Sequence, residues 1–282
     1  MNIDQINTFL ELAETGNFNR AAENLNVTQS TISSRIKALE TKLGHTLLIR
    51  EHSGCRLTPA GRQFLFYANN IQLFWQKSHQ TVTLPSEFIG VLSVGAQVSL
   101  WEKLVLDWMT WMRSEAPNVA LNVQADYSAA QMSKLSDGLL DLGVMYQPRH
   151  TAGLIIETLF DEELILVSTE DRELSLGWRE DYVYVDWGEV FRNAHAAAFP
   201  NMETPAVSVE LGALGLQYIL KNGGSGYFPR RSVKHLLESD KLFHLEAAPT
   251  LYRPAYLVYQ SDPIDKQVLD VAIDGLRTIA AR

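Results

Sequence analysis

Residues 18–43 read FNRAAENLNVTQSTISSRIKALETKL, and the spacing inside that stretch decides the fold of the N-terminal region. Asn17 stands as a cap before a short helix carrying Ala21, Ala22 and Leu25, and the three residues Leu25-Asn26-Val27 redirect the chain. Thr28 caps the helix that follows. Ile32, Ile36, Leu39 and Leu43 recur there at steps of 4, 3 and 4, which puts them on one narrow face, and Gly44 closes the helix. The opposite face is Ser30, Ser34, Lys37 and Thr41, flanked by Thr31 and Ser33. Small residues at Ala21 and Ala22 let two helices cross closely, so the stretch has the parts of a helix-turn-helix. A second helix of this kind fits a DNA major groove, where Ser, Thr, Gln and Arg reach base edges while Arg and Lys meet phosphates. Its N-terminus also aims free N–H groups at the backbone.

Upstream, Ile3, Ile6, Phe9, Leu10 and Ala13 recur at helical spacing, with Gly16 as a stop. Downstream, His45 to Leu57 is a short segment containing the turn Ser53-Gly54. A new helix then starts with Thr58 as cap and Pro59 at its first position, and runs to about Thr83, before Leu84-Pro85. Within it Phe64, Ala68, Ile71, Trp75, Ser78 and Val82 alternate steps of 4 and 3, a heptad seam suited to a helix pair. About 25 residues at 1.5 Å each span on the order of 40 Å, and self-association is the simplest use for so long an apolar stripe.

From Gly90 onward strands and helices alternate. Strands are expected at Gly90–Gly95, Val119–Ala125, Leu142–Tyr146, Leu154–Phe160, Glu163–Ser168, Tyr182–Trp187, Val207–Leu211, Tyr227–Phe228 and Ala255–Gln260. Helices are expected at Leu100–Glu115, from Ser128 to Leu139, from about Val190 to Phe199, through Leu220 and from Lys266 to Ala281. The alternation argues α/β with a largely parallel sheet. Residues 1–58, 59–89 and 90–282 therefore read as a DNA-binding module, a linker helix with hinge, and a larger body.

Composition bounds the function. At 46% hydrophobic and 20% charged residues the chain has ordinary globular composition, which rules out a disordered or collagen-like protein. Its net charge of -9 argues, as an average, against a nucleic-acid partner. The average is misleading: Arg20, Arg35, Lys37, Lys42, Arg50, Arg56 and Arg62 face only Glu23, Glu40 and Glu51 over residues 20–62. A basic module thus precedes an acidic body. The single cysteine, Cys55, excludes an intrachain disulfide and has no resolving partner for redox sensing. The seven histidines, His52 among them, show no pair at metal-ligand spacing. With no signal peptide and no membrane-spanning run, a cytoplasmic protein is expected. The loop Gly223-Gly-Ser-Gly226 lacks the ending of a P-loop, and Tyr227 breaks the spacing of a serine-nucleophile elbow, so a turn needing positive φ is the expected reason for its glycines.

An ordered set of residues resembles the LysR-type family of bacterial transcriptional regulators: Phe9-Leu10-Glu11-Leu12-Ala13, Gly16-Asn17-Phe18, Arg20-Ala21-Ala22, Leu25 to Ser30, Ile36-Lys37-Ala38-Leu39-Glu40 and Leu57-Thr58-Pro59-Ala60-Gly61. Gly223 to Pro229 is similar to the family's glycine-rich loop and strand, and the short stretch after Ser168 resembles a compact branch that includes the HdfR-like regulators. Ser30 and Thr31 stand where many members have Pro and Ala.

The resemblance implies an α + α/β protein: a winged helix-turn-helix, a dimerising linker helix and a periplasmic-binding-protein-like effector domain of two subdomains, about 90–160 with 258–282, and 161–257. It implies base reading by Gln29, Ser30, Ser33, Ser34 and Arg35, and phosphate contact by Thr28, Thr31, Lys37, Arg50 and Arg56. Gln97, Ser99, Ser128, Gln147, Gly226 and Tyr227 are implied as effector contacts, with Ser99 and Ser128 placed at helix N-termini. The expected partners are double-stranded DNA, a small-molecule effector, further copies in a homodimer or homotetramer, and RNA polymerase, with no cofactor and no catalytic role. Against this stand a solute-binding protein and an enzyme with undetected chemistry; the missing signal peptide and basic helical N-terminus oppose the former.

Overall fold

The computed structural model describes residues 1–51, 54–174 and 179–281. It divides into two compact units, Met1–Pro85 and Ser86–Arg282. In the first, α1 (Ile3–Thr15), α2 (Phe18–Asn24) and α3 (Gln29–Leu43) are followed by β1 (Leu48–Glu51), β2 (Gly54–Leu57) and the long α4 (Pro59–Val82). Side chains start each of these helices. Asn2 and Gln5 form a reciprocal capping box, Asn17 accepts from Asn19 and Arg20, Thr28 from Thr31, and Thr58 from Gly61. Gly16 and Gly44, at φ 61° and 69°, end α1 and α3 in the left-handed region. Ile6, Phe9, Leu12, Ala21, Ala22, Ile32, Ile36 and Leu39 build one core from the faces those spacings select.

Strands β1 and β2 pair antiparallel with Leu48 opposite Leu57 and Arg50 opposite Cys55, forming the expected wing. Ser53 of the expected turn, and His52, lie outside the described residues. The Glu40 carboxylate accepts from the backbone N–H groups of Leu47 and Leu48 at 2.7 and 3.2 Å, fixing the approach to the wing. Cys55 is half-buried, and burial pushes its thiol above the ordinary range against the opposing pull of Arg50.

The seam expected along α4 divides. Phe64 meets Phe9 edge-on with ring centroids 5.1 Å apart, Ala68 is fully buried, and Ile71 packs on the same core. These three serve the module's own interior, which corrects the reading of them as dimer contacts: α1 covers that face. Trp75, Ser78 and Val82 remain exposed, together with Phe66, Tyr67 and Phe74.

In the second unit the order is β3 (Gly90–Ala96), α5 (Leu106–Glu115), β4 (Val119–Ala125), α6 (Ser128–Ser136), β5 (Leu142–Met145), β6 (Leu154–Ser168), β7 (Val183–Val185), α7 (Glu189–Ala198), β8 (Val207–Val209), α8 (Gly212–Asn222), β9 (Ser225–Pro229), α9 (Arg230–Leu237), β10 (Phe243–His244), β11 (Leu251–Gln260) and α10 (Lys266–Ala280). Helix α5 is entered through a 3-10 turn, Val98–Leu100, and a π turn, Trp101–Val105, where the sequence suggested one regular helix. Trp108 is fully buried and donates to the Ala272 carbonyl at 2.9 Å.

The main sheet runs β10-β6-β11-β5-β3-β4, with β9 also on β6. In this sheet the described parallel pairings are those of β3 with β4 and β5; the pairings of β6, β9, β10 and β11 are antiparallel, so the sheet is mixed rather than largely parallel. The two strands expected at 154–160 and 163–168 are one strand. Asp161 and Glu162, which fall between the two expected strands, stay in register opposite β11, and the register shifts instead beside Leu159, between Ala255 and Tyr256. Strands β6 and β11 cross from one hydrophobic core to another. The first holds Leu92, Val94, Trp108, Leu257 and Ile273; the second holds Leu164, Ile165, Val183, Phe191, Tyr227 and Phe228.

Candidate nucleic-acid interface and effector cleft

Helix α3 buries Ile32, Ile36 and Leu39 and turns the rest outward. Gln29, Ser30, Ser34 and Lys37 are exposed, and Thr31 and Ser33 half-exposed. At its start the hydroxyls of Thr28, Ser30 and Thr31 are hydrogen-bonded together, each 2.8 Å from Thr28 Oγ1, so part of their capacity is spent on ordering the helix end. Arg35 leans back on α1, with Nη2 3.0 Å from Asp4 Oδ2. From the wing, Arg50 donates to Ser33 Oγ at 2.8 Å and lies 4.3 Å above the Phe18 ring, which ties β1 to α2 and α3. Arg56 is exposed and paired with Glu51. The free polar surface therefore consists of Gln29, Ser34 and Lys37, with Arg35, Arg50 and Arg56 held nearby by partners they share with the fold.

In the second unit a cleft of about 500 Å³ opens between the two cores. Gln97, Ser99 and Gln147 line it as expected. Ser128 does not: it is the first residue of α6 rather than its cap, and its hydroxyl braces the wall by donating to Gln97 Oε1 at 3.2 Å and accepting from the Gln147 N–H at 3.3 Å. Gly226 and Tyr227 are buried inside β9 and are likewise corrected. The Tyr227 hydroxyl donates to the Pro249 carbonyl at 2.9 Å, and its own carbonyl accepts from Trp187 Nε1 at 2.8 Å, so it supports the wall from behind.

The sequence reading missed the centre of the cleft. Arg253 on β11 faces Glu162 on β6 across the ladder. Its side chain is 3% exposed, its Nε and Nη2 donate to Glu162 Oε2 at 2.9 and 2.6 Å, and Arg231 holds the other carboxylate oxygen. The guanidinium is stacked between the rings of Tyr146 and Trp187, 3.6 and 4.7 Å from their centroids. Nη1 donates to the Trp187 carbonyl at 3.1 Å, and Nη2 reaches Ser99 Oγ at 3.4 Å. Tyr146 donates to Glu162 at 2.6 Å, and burial followed by the neighbouring carboxylate holds its phenol far above the ordinary range. The lone charge of β11, Arg253 in an otherwise uncharged run, was the available signal. At the rim, Arg192 pairs with Asp186 and Lys134 with Asp126. Gly212 begins α8 against the outer edge of the Trp187 indole, where a Cβ would meet the ring at 2.1 Å, so glycine permits that approach. In the glycine-rich loop, Gly223 and Gly224 take positive φ, 81° and 131°, as expected.

Two family models account for most of the chain. Residues 3–62 match the bacterial regulatory helix-turn-helix protein, lysR family, and residues 85–278 match the LysR substrate binding domain. The HTH-type transcriptional regulator HdfR of Yersinia enterocolitica is 28% identical over 279 residues, covering 95% of this chain and 94% of that protein. By structure the chain is similar to CbnR, a LysR family transcriptional regulator complexed with its target DNA, at a TM-score of 0.77 and 20% identity over 99% of this chain and 100% of that one. It is also similar to Vibrio fischeri DarR in complex with DNA, at a TM-score of 0.64 and 22% identity over 98% of each chain. Among the described residues no helix is long and apolar enough to cross a membrane. A capped helix-turn-helix with a wing, followed by a two-core α/β body with a polar cleft, thus coincides residue range by residue range with both models, and the chain belongs to the LysR family of DNA-binding transcriptional regulators.

Proposed function

We propose that α3 reads operator bases through Gln29, Ser30, Ser33, Ser34 and Arg35, while Thr28, Thr31, Lys37, Arg50 and Arg56 meet phosphates. The observation that carries this is the outward face of α3, where Gln29, Ser34 and Lys37 are exposed beside a wing anchored through Arg50 and Ser33. Arg35 reaches bases by exchanging its exposed pair with Asp4, a trade that costs little because surface ion pairs are weak. Trp75 and Val82, exposed one heptad apart on the same face of α4, support a homodimer, and further contacts of the effector domain make it a tetramer. A small molecule in the cleft between the two cores changes subdomain closure and so operator geometry, in the cytoplasm, with RNA polymerase as a downstream partner. No catalytic role is proposed.

Footprinting on the DNA beside the protein's own gene tests the reading. We expect a protected region, lost for Gln29→Ala combined with Ser34→Ala, and altered in base preference for Arg35→Ala. Protection unchanged by all three substitutions would overturn the assignment of α3.

A further inference from the structure

The cleft continues past its polar chamber. A second cavity of about 290 Å³ adjoins it, sharing Val98, Ser99, Ala125, Leu211 and Gly212 in the common wall. Beyond that wall the lining turns mainly apolar, with Trp101, Ala213, Leu216 and Phe228, and Glu102 and Ser232 complete it. Trp101 is the first residue of the π turn, an irregularity that recurs at ligand sites.

The polar chamber is built to hold an anionic head. The starts of α6, α7 and α8, at Tyr127, Gly188 and Leu211, open on it, and none carries a side-chain cap. Asn2, Asn17, Thr28, Thr58 and Asp265 cap helices that start elsewhere, although α9, entered from Pro229, has no side-chain cap either. N–H groups left open at a helix start are satisfied by water or by a ligand, and favour negative charge. Beneath them Arg253, 97% buried when its 3% exposure is subtracted, has five N–H donors; Glu162 takes two, Trp187 and Ser99 one each, leaving one on Nη1. Glu162 is shared by Arg231 and Arg253, so one positive charge is in excess there. Asp126 and Asp186 on the wall are neutralised by Lys134 and Arg192, and Glu210 stands exposed at the edge.

We propose that the ligand of this cleft is an amphiphilic carboxylate, its head at Ser99 and Arg253 and its apolar tail in the chamber walled by Trp101, Leu216 and Phe228. The proposal rests on the cleft being the effector site and names the class of effector. Ser99 lines both chambers, so a head bound there sends its tail directly into the second.

The test is calorimetry and thermal denaturation of the full-length protein with hexanoate and phenylacetate, against acetate, which lacks the tail, and hexanamide, which lacks the charge. We expect one or both long carboxylates to bind and raise Tm. Acetate and hexanamide should bind at least about tenfold more weakly, the equivalent of 1.4 kcal/mol. Ser99→Ala should weaken the head and Ala213→Trp, at an exposed position, should fill the tail chamber, each by about tenfold or more; Leu216→Asn provides a second tail variant. Equal binding of acetate and hexanoate, abolished by Ser99→Ala but untouched by Ala213→Trp, would overturn the bipartite ligand and leave the cleft as effector site. Binding of hexanoate indifferent to all three substitutions would place it elsewhere and remove both readings. Absence of binding by either long carboxylate would overturn the proposed ligand class.

Discussion

At the scale of single residues, the buried trio of Glu162, Arg231 and Arg253 sets the terms for the cleft. Glu162 is 1% exposed and its stability depends on both partners being present. Removing one member strands a charge, which typically costs about 3–5 kcal/mol, whereas replacing the pair by apolar residues of similar size is far cheaper. We therefore expect Glu162→Met to lower the urea midpoint of the effector domain strongly, and the double variant Glu162→Met with Arg253→Met to recover much of the loss; a double variant worse than the sum of the singles would contradict the pairing. His195 gives a second prediction. It is buried among Phe191, Phe199, Tyr182 and Tyr227, accepts or donates one hydrogen bond with the Tyr182 hydroxyl at 3.0 Å, and burial lowers its pKa to about 4. Because the folded value lies below the ordinary 6.5, the neutral ring's stabilisation is complete above about pH 6.5 and is lost as pH falls from there towards 4. Stability measured across that window should lose part of its pH slope in His195→Phe, and an identical slope would show that other groups carry it.

At the scale of elements, what the sequence revealed was what local chemistry controls. Asn17, Thr28 and Thr58 were legible as caps because a cap needs only its own helix, and each is one in the structure. Thr28→Ala should cost about 1 kcal/mol and weaken operator binding by loosening the start of α3; full stability together with full affinity would argue that the hydroxyl cluster is idle. The heptad along α4 was legible as apolar, but periodicity does not say what covers a stripe, and α1 claims Phe64, Ala68 and Ile71. Trp75, 54% exposed, is not covered by the module's own core. Trp75→Glu should shift the protein towards monomer in sedimentation with its thermal unfolding intact, whereas Phe64→Ala should cost about 3 kcal/mol of module stability. The reverse pattern would refute the division. The polar floor of the cleft was hidden for a different reason: Arg253 and Glu162 are nearly a hundred residues apart, and only the register of β6 on β11 brings them together.

At the scale of the whole molecule, a net charge of -9 conceals a basic recognition module joined in sequence to an acidic body. That distribution assigns phosphate binding to the N-terminal unit and leaves the effector domain unattractive to DNA. Neutralising acidic surface residues beyond Gly90 should raise non-specific DNA affinity, and no change would show that the body's charge is irrelevant to binding. Fluorescence-anisotropy titration of the full-length protein on its footprinted site and on a scrambled duplex of equal length, over a range of salt, tests sequence-specific recognition most directly. We predict affinity for the site at least about 10³ times that for the scrambled duplex, and a linear fall of log affinity with log salt from the released counterions. Equal affinity for the two duplexes, or binding that does not respond to salt, would contradict it.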